Sequence, residues 1–419
     1  MKKQILLLAA MLVGSFAGAQ TVQQGTVTMG PSYANQVYFK FATPGVTNAY
    51  PHSSWDVAFY RKSAMAFATR INDAKGIEVY QASNTVSNWA SIDVSQVANW
   101  TRLYNSDIEW TKGAFDYGTA TYGWGEYNMA NHHVTGSIIF VLKYPNGTYK
   151  KFKIDDFFGG YTFTYATWNT GTSTWSADQT KVVANATNPN HIFNYFSLET
   201  DAAVTAEPAS ADWDLIFTKF TTDYPMGGTT TKYQVTGALH HPDVKVAKNV
   251  EPGGVMNTAN LTFAPAINTI GYDWKTFTGS TYTIDGSKAY YVKQANGTVY
   301  RVVFTSFVGS STGVITFNYQ DVTSALGTVS FEDKIAFGIY PNPSFDKKIN
   351  LIYDSKENMD ANSKVSIYSM TGAKVFETAI ETAQGFYSRE LDLSALGTGI
   401  YILNLESGSS TITKKVILK

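Results

Sequence analysis

The chain contains no cysteine. That excludes disulfides, cysteine-ligated zinc, iron–sulfur clusters and thioether-attached haem. It also excludes a lipid anchor on an N-terminal cysteine. Charge is scarce as well: Asp, Glu, Lys and Arg make up 16% of the 419 residues, against ~25% in typical soluble domains. The polar surface must therefore come mainly from Thr, Ser, Asn and Gln. No block of Lys or Arg stands out, and the formal net charge is -1. A nucleic-acid backbone calls for a concentrated cationic footprint, so nucleic acid is not an expected partner. Long apolar runs are missing except at the start. Lys2 and Lys3 precede the apolar run Ile5 to Phe16, and Ala17-Gly18-Ala19 follows. This reads as a signal peptide over 1–19, with the mature chain beginning at Gln20. The run is too short for a membrane span of ~20 residues, so no transmembrane anchor is expected.

What the chain has instead is aromatic and β-branched residues, with 27 Tyr and 25 Phe. These side chains suit a pleated, half-buried surface. A tandem repeat organises them. Tyr38-Phe39-Lys40-Phe41 leads to Trp55-Asp56-Val57-Ala58-Phe59, and Tyr195-Phe196-Ser197-Leu198 leads to Trp213-Asp214-Leu215-Ile216-Phe217. Tyr122-Gly123-Trp124 then matches Tyr272-Asp273-Trp274, Asn146-Gly147-Thr148 matches Asn296-Gly297-Thr298, and Thr162–Tyr165 matches Thr316–Tyr319. The order is kept while loop lengths drift, as in a duplication. Each Asn-Gly sits between two β-rich runs and predicts a hairpin. A β-propeller is excluded, because its blades repeat every ~40–45 residues.

The expected architecture is all-β: two tandem antiparallel β domains and a small C-terminal immunoglobulin-like β-sandwich. The first repeat covers 20–169, a linker 170–193, the second repeat 194–323, a linker 324–334, and the last domain 335–419. Trp55 and Trp213 are expected in the core, with Asp56 and Asp214 capping a turn or facing outward.

The last domain carries Ile339-Tyr340-Pro341-Asn342-Pro343, Val365–Gly372, Leu391-Asp392-Leu393-Ser394, Gly397–Ile402 and the terminal Lys414–Lys419. In that order these motifs resemble a type A sorting domain of the type IX secretion system found in Bacteroidota. The resemblance implies Sec export, handling by the type IX secretion machinery, and release or attachment at the outer-membrane surface or outside the cell.

The Trp-Asp strands and the aromatic strand Thr316–Tyr319 resemble HmuY-type haem-binding proteins. That resemblance implies an all-β haemophore whose partners are haem or haemoproteins. Haem held without thioethers takes axial His, Met or Tyr. The candidates are His132-His133, His240-His241 and Met129, with Met226 as a further soft ligand. The two histidine pairs do not fall at equivalent repeat positions. Such family members are commonly lipoproteins; here the sorting domain would supply surface delivery. Two other readings stay open: a surface adhesion or glycan-binding module with a flat aromatic platform, and a hydrolase with convergent carboxylates or a Ser–His pair in a pocket. Gly-x-Ser-x-Gly, His-Glu-x-x-His, P-loop and EF-hand patterns are absent, so a non-enzymatic binding protein is expected.

Overall fold

The computed structural model describes residues 21–43, 47–63, 65–323, 325, 335–408 and 410–419. The signal peptide and most of the 324–334 linker lie outside them. The fold is all-β, and every helix among the described residues is a short 3-10 turn. The described residues up to 323 form one compact unit and those from 325 onward a second.

In the first unit the strands are β1 (Gln23–Thr28), β2 (Asn35–Phe39), β3 (Thr47–Pro51), β4 (Val57–Tyr60), β5 (Thr69–Ile71) and β6 (Glu78–Ser83). Next come β7 (Thr101–Leu103), β8 (Gly125–Asn128), β9 (His133–Gly136), β10 (Ile139–Lys143), β11 (Tyr149–Phe157) and β12 (Gly160–Asn169). The chain continues with β13 (Thr174–Trp175), β14 (Gln179–Ala184), β15 (Phe193–Ser197), β16 (Ala202–Val204), β17 (Leu215–Met226) and β18 (Thr229–His240). It ends with β19 (Lys245–Val250), β20 (Lys275–Phe277), β21 (Tyr282–Ile284), β22 (Lys288–Lys293), β23 (Val299–Phe307) and β24 (Val314–Asp321).

The predicted hairpins are β10–β11 and β22–β23. Gly147 and Gly297 take φ of 84° and 91°, values that cost a residue without a Cβ little. Asn146 and Asn296 Oδ1 each accept the N–H two residues on, at 3.0 Å. Alternation then sets the faces: Ile315, Phe317 and Tyr319 of β24 point inward and their neighbours do not, the period-2 pattern of a strand with one buried face.

The two repeats exchange their opening strands. β1 pairs with β24 of the second repeat, and β14 pairs with β12 of the first. In the same way β2 pairs with β17, and β15 with β4. The Tyr-Phe strand of each repeat thus lies beside the Trp-Asp strand of the other. Residues 170–193, expected as a linker, instead carry β13 and β14. Their Thr, Ser and Asn content resembles a loop because β14 has one buried side chain, Val183.

The cores follow the exchange. Phe196 and Leu198 of the second repeat join the first-half core around Trp124, Phe140 and Phe163. Val37, Phe39 and Phe41 of the first repeat join the second-half core around Trp274, Phe304 and Phe317. A third cluster, including Tyr38, Trp55, Tyr195 and Trp213, draws on both repeats. Asp56 and Asp214 lock the exchange. Asp56 Oδ2 accepts the N–H of Leu198 at 2.6 Å, and Asp214 Oδ2 accepts that of Phe41 at 3.0 Å. Both aspartates therefore cap the partner repeat's chain from inside.

The C-terminal unit has β25 (Ile335–Tyr340), β26 (Lys348–Ser355), β27 (Lys364–Ser369), β28 (Lys374–Ala379), β29 (Gly385–Asp392), β30 (Gly399–Ser407) and β31 (Ser410–Leu418). They form two sheets, β25-β26-β29 and β28-β27-β30-β31, around a shared core that includes Ile349, Leu351, Leu403 and Val416. Its first and last motifs meet. Asn342 Nδ2 donates to Lys415 O at 2.7 Å, and its Oδ1 accepts Ile417 N–H at 2.9 Å. Ser344 forms a parallel bridge with Leu418.

Candidate functional site

His132 and His133 sit at the β8–β9 hairpin. The turn is set by asparagines: Asn128 Oδ1 accepts Ala130 N–H at 2.9 Å, and Asn131 Oδ1 accepts His133 N–H at 3.1 Å. His132 takes φ of 64° to close it. β9 pairs with β11, which brings Asp156 opposite Thr135 and beside His133. His133 Nδ1 lies 2.9 and 2.8 Å from the two Asp156 oxygens. Its ring stacks on Phe158 at 4.7 Å and 4° between planes. His132 Nδ1 meets the Tyr127 hydroxyl at 2.7 Å. Neither Nε2 has a hydrogen-bond partner among the described residues. Around them Met129 is 83% exposed and Phe158 55%, with Tyr122 and Tyr127 also exposed. Exposed apolar side chains gathered this way mark a contact surface more often than a bare exterior.

The second pair is differently placed. His240 ends β18 and is fully buried. Its Nδ1 lies 2.9 Å from His241 O and its Nε2 2.8 Å from Ala266 O. The two carbonyls favour the charged ring and burial the neutral one; burial is the larger effect, and the pKa falls. No ring nitrogen remains for a ligand. His241 Nδ1 accepts the Asp243 N–H at 3.0 Å, and its Nε2 lies 2.9 Å from Ser210 Oγ. Burial pushes its pKa down to about 4. Its position follows from the repeat: His241 N–H donates to Asp214 O as Asn72 N–H donates to Asp56 O. His241 thus stands where the first half has a turn-capping asparagine. Met226 is at the outer end of the β17–β18 ribbon, 49% exposed.

Ser210, His241 and Asp243 superficially form a hydrolytic triad. The tautomer opposes it. Because Nδ1 accepts a backbone N–H, the neutral ring carries its proton on Nε2 and donates to Ser210. A base for serine needs the lone pair there. The carboxylates do not form a pair either. Asp155 binds Lys153 and accepts the Thr164 hydroxyl, and Asp156 holds His133. Glu207 accepts Ile192 and Phe193 N–H at 2.6 and 2.8 Å, and burial raises its pKa to about 8. Among the described residues no three His, Asp or Glu side chains gather as a metal site.

A cavity of about 60 Å³ lies among Tyr38, Trp55, Trp110, Tyr195 and Trp213. It has room for a few water molecules and none for a porphyrin. Of the histidine candidates, His132 and His133 keep a nitrogen available for a ligand. Sequence reasoning missed the link between Asp156 and His133, because the two residues meet only through β9–β11 pairing. Phe158 carried no signal beyond its hydrophobicity.

Residues 338–419 match the family model of the secretion system C-terminal sorting domain. No curated protein sequence matches the chain. The sorting domain assigns the protein to export by the type IX system, with handling by its machinery and delivery to the cell surface or the medium. No helix among the described residues is long and apolar enough to cross a membrane.

Proposed function

We propose that this protein is an exported, non-catalytic binding protein that holds haem at the β8–β9 hairpin, through His133 with Met129 or His132 as the second ligand. One observation carries the reading. The Asp156 carboxylate holds His133 Nδ1–H, which leaves Nε2 as a lone-pair donor facing away from its hydrogen bond. Carboxylate–histidine pairs of this kind orient imidazoles toward metals and raise their basicity. The exposed rings of Phe158, Tyr122 and Tyr127 supply apolar surface for a flat macrocycle. When bound, haem would supply iron for acquisition by the cell. The protein's part is to bind, orient and carry it. The resemblance of the Trp-Asp strands to HmuY-type proteins agrees with this reading.

The test is a haemin titration of the mature full-length chain, followed by its Soret band. A saturable, shifted band is expected, lost in His133→Ala and weakened about tenfold or more in Asp156→Asn. His241→Ala should bind normally. A titration that matches a non-binding control protein, or one unaltered by His133→Ala, overturns the proposal.

A further inference from the structure

The two halves of the first unit differ at one equivalent place. In the first half Lys75 fills it. Its Nζ lies 2.7 Å from Asp56 Oδ1 and 2.5 Å from Glu199 Oε2, and 5.6 Å from the Tyr144 ring centroid. In the second half Asp214 stands for Asp56. Gln294 stands for Tyr144 at the same hairpin corner: Gly297 N–H donates to Gln294 O as Gly147 N–H donates to Tyr144 O. Ala42 stands for Glu199, one residue after the capped Phe41 as Glu199 follows the capped Leu198. The adjoining turn is shorter. Residues 73–77 separate Asn72 from Glu78, whereas only 242–244 separate His241 from Lys245. Lys75 therefore has no counterpart. The outcome is an open cleft of about 690 Å³ beside Trp213, within the ~300–1,000 Å³ range of small-molecule sites.

The charges lining this cleft already have partners. Arg61 donates to the carbonyls of Asn185, Asn188 and His191. Lys62 pairs with Asp243, and Lys40 faces Asp214 at 3.8 Å. An anion would meet two carboxylates there, and a cation three basic side chains. Neutral hydrogen-bonding capacity remains. Gln294 Oε1, Asn296 Nδ2 and the Asn190 side-chain amide make no hydrogen bond within the described protein. A hydroxyl both donates and accepts, so adjacent hydroxyls fit this mixed set of amide, ammonium and carboxylate groups.

We propose that the cleft beside Trp213 is a second binding site, and that it takes a neutral sugar residue. The site shares no residue with the β8–β9 hairpin and stands independently of the haem reading. The test uses the mature full-length chain and the methyl glycosides of glucose, galactose, mannose and N-acetylglucosamine, read by saturation-transfer NMR and tryptophan fluorescence. Saturable binding of at least one glycoside is expected. Gln294→Tyr and Ala42→Glu, which restore the residues of the filled half, should each weaken it about tenfold or more. His133→Ala should leave it unchanged. If Gln294→Tyr fails to fold, Asn190→Ala on the exposed rim gives the same readout. The proposal is overturned if none of the four glycosides binds saturably, or if binding survives both filling substitutions.

Discussion

Phe39→Ala tests the strand exchange directly. By sequence Phe39 belongs to the first repeat, yet its side chain is 1% exposed within the second-half core. Its ring lies 5.2 Å from Phe41, 5.0 Å from Phe317 and 5.6 Å from Tyr319, all edge-on. Truncation removes the transfer energy of a buried ring and leaves a cavity between stiff strands. Together these cost about 3–5 kcal/mol. Each 1.4 kcal/mol is a tenfold change, so local opening should rise by roughly two to three and a half orders of magnitude. Hydrogen exchange resolved by peptide is the assay. The loss of protection should fall on β22–β24 and spare β10–β12. Phe196→Ala should do the reverse, because that ring packs edge-on to Phe163 at 5.2 Å in the first-half core. Loss confined to β10–β12 in Phe39→Ala would refute the exchanged arrangement.

Asp56→Ala should cost about 3–5 kcal/mol in denaturant unfolding, since it removes one of the two carboxylates that hold a largely buried lysine and leaves the buried Leu198 N–H without its acceptor. Asp214→Ala should cost only about 1–3 kcal/mol, because Lys40 reaches solvent. Glu207 titrates near 4.5 when unfolded and near 8 when folded. The folded state holds the extra proton between those values, so this group's contribution to stability is full below about pH 4.5 and is lost as pH rises through 8. Glu207→Gln should remove that part of the slope in unfolding measured across pH 4–9. Deleting residues 338–419 should leave the passenger folded in the periplasm and absent from the cell surface and medium, as read by fractionation and immunoblot. Recovery of the truncated chain outside the cell would contradict export through the sorting domain.

Composition, alternation and Asn-Gly spacing were enough for the all-β class, because a strand with one buried face writes its period into neighbouring residues. Both Asn-Gly pairs fall in observed hairpins, β10–β11 and β22–β23, and the last domain is the expected sandwich of two sheets. The sorting motifs were legible for a related reason: they are local, and each turn or strand end imposes its own residue types. β25 and β28 carry a weaker strand pattern, since β25 contains a glycine and β28 is largely exposed.

What the sequence could not decide was partnership. A repeat pattern records which residues are equivalent and is silent on which copy they pack against. Whether β2 pairs with its own Trp-Asp strand or with its twin's depends on chain path, and both choices satisfy the same alternation. The site depended on partnership too. His133 acquires its orienting carboxylate only when β9 lies beside β11, while the Nε2 atoms of His240 and His241 are taken by Ala266 O and Ser210 Oγ from other segments. By itself the sequence determined the material, the turns and the export signal. Tertiary structure decided which histidines keep a free nitrogen and which half keeps an open cleft, because both depend on contacts between residues far apart in the chain.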